Sequence, residues 1–122
     1  MPSIGVILFV HGSPDARWAE PFRRLRDRVA MRAPDLAVTV AYLEHLQPDL
    51  ATAAEGLARR GAGRIRIVPM FFGRGAHLRE DLPAQVAAAR ARAPGVAFEV
   101  TESAGENDAV LDALAAFALA GT

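Results

Sequence analysis

The sequence predicts one α/β domain, built as an open, mostly parallel four-stranded sheet with helices on both faces. A chain of 122 residues, 52% of them hydrophobic, suffices for a single buried core. Four short apolar segments alternate along it with four segments of helical length. Because a helix-length crossover joins each strand to the next, we expect parallel strands with right-handed connections.

The first half of the chain supplies two strands and two helices. Residues 4–10 form a continuous apolar run, which is typical of a strand buried on both faces of a sheet. Apolar residues then recur at helical spacing over residues 17–32, with arginines between them, and this predicts an amphipathic helix. A second strand is expected at residues 38–43. A second helix is expected at residues 49–60, where Gly61 ends it.

The second half repeats the pattern. We expect the third helix to begin with Asp81 as its N-cap, to carry Pro83 in its first turn and to end near residue 92. Two further strands and a last helix are expected at residues 65–72, 96–101 and 107–118. The resulting order of elements is that of a flavodoxin-like sheet, in one domain that spans residues 1–122.

Composition excludes several classes of protein. The chain has 14 basic and 14 acidic residues, and this zero net charge argues against a nucleic-acid partner and against electrostatic membrane binding. The absence of cysteine excludes disulfides, cysteine-ligated metal centres and thiol nucleophiles. No segment approaches the roughly 20 apolar residues that cross a bilayer, and residues 1–10 lack the pattern of a signal peptide. We therefore expect a cytoplasmic protein.

Side chains that bind metals follow three of the predicted strands. His11 follows the first strand, Glu44 the second, and His77 lies in the loop after the third. Because open parallel sheets place their chemistry at the carboxyl ends of the strands, we expect these three residues to gather at one edge. Imidazole and carboxylate suit divalent Fe, Co, Ni and Zn, and imidazole also serves acid–base chemistry near neutral pH.

Each of these residues also has an ordinary structural role open to it. His11 could be a core or capping histidine at a strand end, and His77 could cap the third helix or lie on a loop. Glu44 could be a solvated carboxylate. Three such residues at one edge nevertheless favour a site. His45 is assigned to packing or to the surface, because alternation along a persisting strand turns its side chain away from Glu44.

Two glycine-containing segments favour contact with a ligand. Residues 73–75 lack the Lys and Ser/Thr of a phosphate-binding P-loop and the third glycine of the dinucleotide fingerprint. Their glycines are expected instead to let the backbone approach a large flat ligand. Ser13 follows His11 and Gly12 without the G-x-S-x-G pattern of a nucleophile, so capping or a hydrogen bond to a ligand is expected.

Three segments of the chain resemble a known family. Residues 7–13, 41–48 and 68–83 are similar to the motifs of the sirohydrochlorin chelatases, and the likeness to the small single-domain CbiX type spans residues 4–119. It implies a class II chelatase fold and insertion of Co²⁺ or Fe²⁺ into sirohydrochlorin, toward cobalamin or siroheme. The chain departs from the family pattern at Pro14 and Ala76, which bears on substrate contacts and not on metal ligands.

The resemblance also implies the roles of the metal-binding residues. His11 and His77 match the catalytic, metal-binding pair of histidines, and Glu44 matches a glutamate that assists metal binding. No cofactor is implied beyond the metal substrate, which is Co²⁺, Fe²⁺ or Ni²⁺. Two other functions remain open for the same three residues: a metal-dependent hydrolase, and a non-catalytic carrier of metal or tetrapyrrole.

A tetrapyrrole that carries many carboxylates is the implied substrate. Arg74 and Arg79 are expected to pair with those carboxylates through charge-assisted hydrogen bonds. Ser13 and Gly75 are expected to contact the same ligand, and residues 70–72 offer an apolar wall, although core packing suits the first two of these at least as well. We further expect a symmetric homodimer, whose subunits enclose the shallow cleft of a four-stranded sheet.

Overall fold

The computed structural model describes residues 3–73 and 75–122, and the side chains of all of them except residues 76 and 77. Within these residues, four parallel strands form one sheet in the order β2-β1-β3-β4. The strands are β1 (Ile4–Val10), β2 (Ala37–Tyr42), β3 (Arg64–Pro69) and β4 (Ala97–Val100). The predicted parallel α/β fold is confirmed.

Helices follow each strand in turn. They are α1 (Glu20–Arg32), α2 (Leu50–Arg59), α3 (Ala76–Arg92) and α4 (Asp108–Leu119). Two short 3₁₀ helices, Ala16–Ala19 and Ala104–Glu106, precede α1 and α4. The helix predicted over residues 17–32 is therefore a 3₁₀ turn followed by α1, with Pro21 in the first turn of α1. None of these helices, in the part of the chain described, is long and apolar enough to cross a membrane.

Strand β1 lies at the centre and is buried on both faces, as its continuous apolar run predicts. Ile7 and Phe9 are fully buried in the cluster beneath α2 and α3. Leu8 and Val10 point the other way, into a second cluster that is covered by Trp18 of the first 3₁₀ helix and by Phe22 and Leu25 of α1. The central position of β1 matters for the site, because the end of β1 then lies between the ends of β2 and β3.

The structure corrects the predicted start of α3. The helix begins at Ala76, after Gly75 as N-cap, and not at Asp81. Pro83 consequently lies inside the helix and not in its first turn. The physical reason is Leu78, which is 8% exposed and packs into the core, so its burial stabilises an additional helical turn. The third strand correspondingly ends at Pro69, three residues before its predicted end at residue 72.

Candidate functional site

His11 and Glu44 meet where the neighbouring strands β1 and β2 end. Hydrogen bonds continue past the strands: the N–H of Leu43 donates to the carbonyl of Val10 at 2.8 Å, and that of Glu44 to the carbonyl of His11 at 3.1 Å. The side chains of the two residues are also in contact, and His11 Nε2 lies 3.1 Å from Glu44 Oε1. Both side chains are about half exposed, at 51% and 44%, so the pair faces solvent and is open to a ligand.

Gly12 makes this close approach possible. Its φ of +99° lies in the left-handed region, which side chains disfavour. A Cβ at this position would in addition overlap the carbonyl oxygen of Glu44 and lie 3.0 Å from its carbonyl carbon. Glycine is therefore needed both for the turn after β1 and for the contact with the loop after β2. The same loop is held from α3, where Gln85 Nε2 donates to the carbonyl of Leu43 at 3.2 Å.

The structure overturns the expected orientation of His45. Its Nε2 lies 3.6 Å from Glu44 Oε1, the same oxygen that faces His11. Strand β2 ends at Tyr42, and the chain bends over residues 43–47, so the alternation expected along a strand does not apply. His45 has a φ of +69°, and this left-handed backbone accompanies its turn toward the carboxylate. The turn signal of Pro48 would have predicted the bend.

The ring of Phe71 packs against the ring of His11. Its ring meets the His11 ring edge-on at 6.4 Å between centroids, and the Phe9 ring at 5.9 Å. Phe71 is 8% exposed, so the core-packing alternative is confirmed for it. Met70 is partly buried on the α1 side of the sheet. Phe72 is 64% exposed, and an apolar wall at this edge would therefore rest on Phe72.

The third expected ligand is placed only by its backbone. His77 is the second residue of α3, and α3 begins just after β3, the other neighbour of β1. The chain therefore brings His77 to the edge where His11 lies. The side chain of His77 lies outside the described residues, and so does Arg74. Their roles as metal ligand and substrate contact stay predictions.

The remaining expected contacts surround this edge. Ser13 Oγ accepts a hydrogen bond from the N–H of Asp15 at 3.1 Å, which stabilises the turn before the first 3₁₀ helix, while Asp15 is the N-cap of that helix. Asp15 in turn binds the Arg17 guanidinium, and that hydrogen-bonded cation lowers the pKa of the Asp15 carboxyl. Gly75 is exposed as the N-cap of α3. Arg79, also exposed, borders a cavity of about 110 Å³ whose other lining residues are Leu78, Leu82 and Pro83.

The distances around Glu44 suit a metal ion that binds and leaves. Two ligands each about 2.1 Å from one ion, at angles of 90–110°, lie about 3.0–3.4 Å apart. The 3.1 Å between His11 Nε2 and Glu44 Oε1 fits this range, and the 3.6 Å to His45 lies just beyond it. Among the described side chains, no group of three His, Asp or Glu residues is arranged to hold an ion. The described pair is therefore a candidate for an open site with two protein ligands.

Comparison with known proteins gives consistent matches. The family model described as CbiX matches residues 5–118. The sirohydrochlorin cobaltochelatase of Methanosarcina barkeri is 30% identical over 80 residues, which are 66% of this chain and 62% of that protein. The chain thus matches less than two thirds of that relative's length. The sirohydrochlorin cobaltochelatase of Sulfurisphaera tokodaii is 28% identical over 116 residues, covering 90% of this chain and 87% of that protein.

Solved structures share the fold. A protein described as CbiX from Marinobacter aquaeolei VT8 superposes with a TM-score of 0.80 at 32% identity, over 94% of this chain and 93% of that chain. The sirohydrochlorin chelatase SirB from Bacillus subtilis subspecies spizizenii, solved in complex with cobalt, gives a TM-score of 0.78 at 21% identity. That match covers 93% of this chain but 48% of SirB, and it is a likeness of fold alone.

Proposed function

The chain belongs to the CbiX family, and from this we propose that it inserts Co²⁺ into sirohydrochlorin, as the names of its relatives suggest. The observation that carries the proposal is the pair of His11 Nε2 and Glu44 Oε1, 3.1 Å apart at the open edge of the sheet. Insertion of Fe²⁺, toward siroheme, is the second reaction that these ligands support, because imidazole and carboxylate accept both ions.

Metal capture is the proposed first step. The Glu44 carboxylate supplies negative charge to the divalent ion, and His11 supplies a neutral nitrogen ligand. Because both side chains are about half exposed, the ion would keep water at its other positions. A closed site with four protein ligands would hold the ion, whereas an open one releases it to the macrocycle. His77 is the proposed further ligand from the start of α3.

Proton removal is the proposed second step. The macrocycle loses two pyrrole N–H protons as the metal enters. A neutral imidazole accepts a proton near neutral pH, whereas a guanidinium has no free acceptor. His11 is the proposed acceptor of one of these protons once its Nε2 has released the ion, because the Glu44 carboxylate 3.1 Å away is a charged partner for the imidazolium that forms. His77 is the proposed acceptor of the second proton.

Substrate binding is assigned to the rim of the same edge. Phe72 offers an exposed ring for the macrocycle. The N-terminus of α3, with Gly75 as its cap, favours the substrate's carboxylates through its free N–H groups. Arg79, exposed one turn further along α3, is a charged partner for another carboxylate. Arg74 and Ser13 stay proposed contacts. The cytoplasmic location stays a prediction from the sequence.

The test is a visible-spectrum assay with sirohydrochlorin and Co²⁺ or Fe²⁺, with the protein far below the substrate concentration. A chelatase converts many equivalents per protein, whereas a carrier changes at most one equivalent. With a metal-dependent hydrolase, the visible spectrum of sirohydrochlorin changes no faster than it does without protein. The variant Glu20→Gln neutralises an exposed carboxylate on α1. It serves as a control for the loss of a surface charge and should retain full turnover. Turnover no faster than that without protein would overturn the proposed function.

A further inference from the structure

The loop after β2, residues 43–47, carries two side chains of the candidate metal site. Glu44 Oε1 lies 3.1 Å from the Nε2 of His11 and 3.6 Å from that of His45. The side chains of Glu44 and His45 are 44% and 45% exposed, so packing restrains only part of each. Because the rotamers open to a side chain depend on its backbone, the backbone of this loop largely sets where the two groups point.

The peptide group between Leu43 and Glu44 is held at both ends. Its N–H, which belongs to Glu44, donates to the carbonyl of His11 at 3.1 Å. Its carbonyl, which belongs to Leu43, accepts a hydrogen bond from Gln85 Nε2 of α3 at 3.2 Å. A peptide group is planar, so hydrogen bonds at its two ends together restrain its rotation. The orientation of this group sets the direction in which the Glu44 side chain leaves the backbone.

The bond from Gln85 lies at the margin of the core. Leu43 is 8% exposed and belongs to the same apolar cluster as Leu78, Val86 and Ala89 of α3. Gln85 is partly buried on that helix. A buried carbonyl without a donor is destabilising, and so is an amide taken out of water without a partner. Breaking the bond is therefore unfavourable on both sides, which makes it a durable link between α3 and the loop.

The same helix also begins at the candidate site. Helix α3 starts at Ala76, just after β3, and His77 is its second residue. Gln85 follows His77 by a little more than two helical turns. One helix thus supplies the backbone of the third predicted ligand and the anchor of the loop that carries Glu44. A loss of that anchor would let the loop move relative to both β1 and α3.

We propose that Gln85 is a positioning residue of the metal site, whose hydrogen bond to the carbonyl of Leu43 keeps Glu44 at the distance from His11 at which both bind one divalent cation. The inference rests on the proposed function, since that function makes the cation a substrate. Gln85 acts through the loop and not as a ligand. Its neutral amide donates without adding a positive charge that would repel the cation.

Binding of Co²⁺ in the absence of tetrapyrrole tests the proposal, so the result does not depend on whether the protein inserts the metal. Gln85→Met nearly keeps the length of the side chain and removes the donor, whereas Gln85→Ala removes the side chain beyond Cβ. We expect each to raise the dissociation constant for Co²⁺ about three- to tenfold, as the loss of one ordinary hydrogen bond would. Isothermal titration calorimetry measures this. Wild-type affinity in a folded Gln85→Met variant, or no Co²⁺ binding by the wild type, would overturn the proposal.

Val86→Ala is the matched control for a general loss of stability. Val86 is the next residue of α3 and is 8% exposed in the core, so its truncation lowers the urea midpoint but leaves the bond from Gln85 in place. Under conditions where circular dichroism shows all variants folded, Val86→Ala should bind Co²⁺ with wild-type affinity. If it weakened binding as much as Gln85→Met does, the effect would be one of stability and the proposed role would be wrong.

A double-mutant cycle tests whether Gln85 acts through Glu44. In a Glu44→Gln background, the further change Gln85→Met should raise the dissociation constant for Co²⁺ by less than about twofold, because the ligand that it positions is already lost. Effects that multiplied in full would show that Gln85 acts by another route, and the proposal would fail.

The insertion assay separates this inference from the proposed function. With sirohydrochlorin present, Gln85→Met should need several-fold more Co²⁺ for half-maximal rate and should reach a similar rate at saturating Co²⁺. A wild-type protein that inserts no metal, while Gln85→Met still weakens Co²⁺ binding, would refute the proposed function and support the positioning role. Normal insertion by the wild type together with unchanged Co²⁺ binding by Gln85→Met would refute the positioning role alone.

Discussion

Gly12 and the carbonyl oxygen of Glu44 lie so close together that any Cβ at position 12 would overlap that oxygen. This contact joins the turn after β1 to the loop after β2. It therefore fixes the backbone from which the His11 and Glu44 side chains reach each other at 3.1 Å. The geometry of the candidate metal site depends on a residue that itself has no metal-binding group.

Gly12→Ala should therefore damage the site more than the rest of the fold. The added methyl group forces the two loops apart, and alanine disfavours the φ of +99°. We expect a loss of stability of about 1–3 kcal/mol and a drop in metal insertion of at least tenfold. Urea unfolding and the spectral assay measure the two effects. Gly95→Ala is the control, because no atom lies within 4 Å of its Cβ position, and it should change neither.

His45 should contribute to metal capture, because its Nε2 lies 3.6 Å from Glu44 Oε1. His45→Gly and His45→Asn both remove the imidazole, and both residues tolerate the left-handed backbone at this position. We expect each variant to need several-fold more Co²⁺ for half-maximal rate, with a similar rate at saturating Co²⁺. A titration of the insertion rate against metal concentration measures this. If the Co²⁺ concentration for half-maximal rate were unchanged in both variants, His45 would have only a structural role.

Two adjacent phenylalanines should separate core packing from substrate binding. Phe71 is buried against Phe9 and His11, so Phe71→Ala should cost about 3–5 kcal/mol of stability. Phe72 is 64% exposed, so Phe72→Ala should leave the unfolding midpoint unchanged. If Phe72 forms the wall for the macrocycle, the same variant raises the KM for sirohydrochlorin several-fold. A KM equal to the wild-type value would remove Phe72 from the substrate site.

Asp49 should stabilise the protein in a pH-dependent manner. It caps α2, and the side-chain and backbone hydrogen bonds from Thr52 lower the pKa of its carboxyl. Because the folded pKa is below the unfolded one, the stabilisation is complete above the unfolded pKa and is lost as the pH falls through the folded pKa. Asp49→Ala should cost about 1 kcal/mol at pH 7, and less at pH 3. Urea unfolding at both pH values measures this, and an equal cost at both would contradict it.

The fold could be predicted because its dominant signals are local. The continuous apolar run Ile4–Val10 predicts a doubly buried strand, and the structure places β1 at the centre of the sheet. The meeting of His11 with Glu44 followed from the rule that parallel strands end at one edge. The start of α3 could not be predicted from the sequence. It depends on the burial of Leu78, and that burial depends on packing against other elements.

The errors at the site have the same origin. The orientation of His45 is set by a bend after β2 and by a left-handed backbone, neither of which alternation along a strand can describe. The exposure of α4 could not be predicted either, because the sequence pattern shows that a helix has an apolar side but not which surface covers that side. Local sequence thus predicts which elements form. Their ends and their partners depend on contacts between distant parts of the chain.

Insertion of Co²⁺ into sirohydrochlorin by His11→Ala and Glu44→Gln, followed over a range of Co²⁺ concentrations, tests the central claim most directly. We expect the histidine variant to lose insertion by orders of magnitude at all metal concentrations, because it lacks both a metal ligand and one of the two proposed proton acceptors. The glutamate variant should lose at least tenfold at limiting metal and recover in part at saturation. Circular dichroism should match the wild type, since both side chains are about half exposed. Wild-type rates in a folded His11→Ala variant would contradict the assignment of this edge as the metal site.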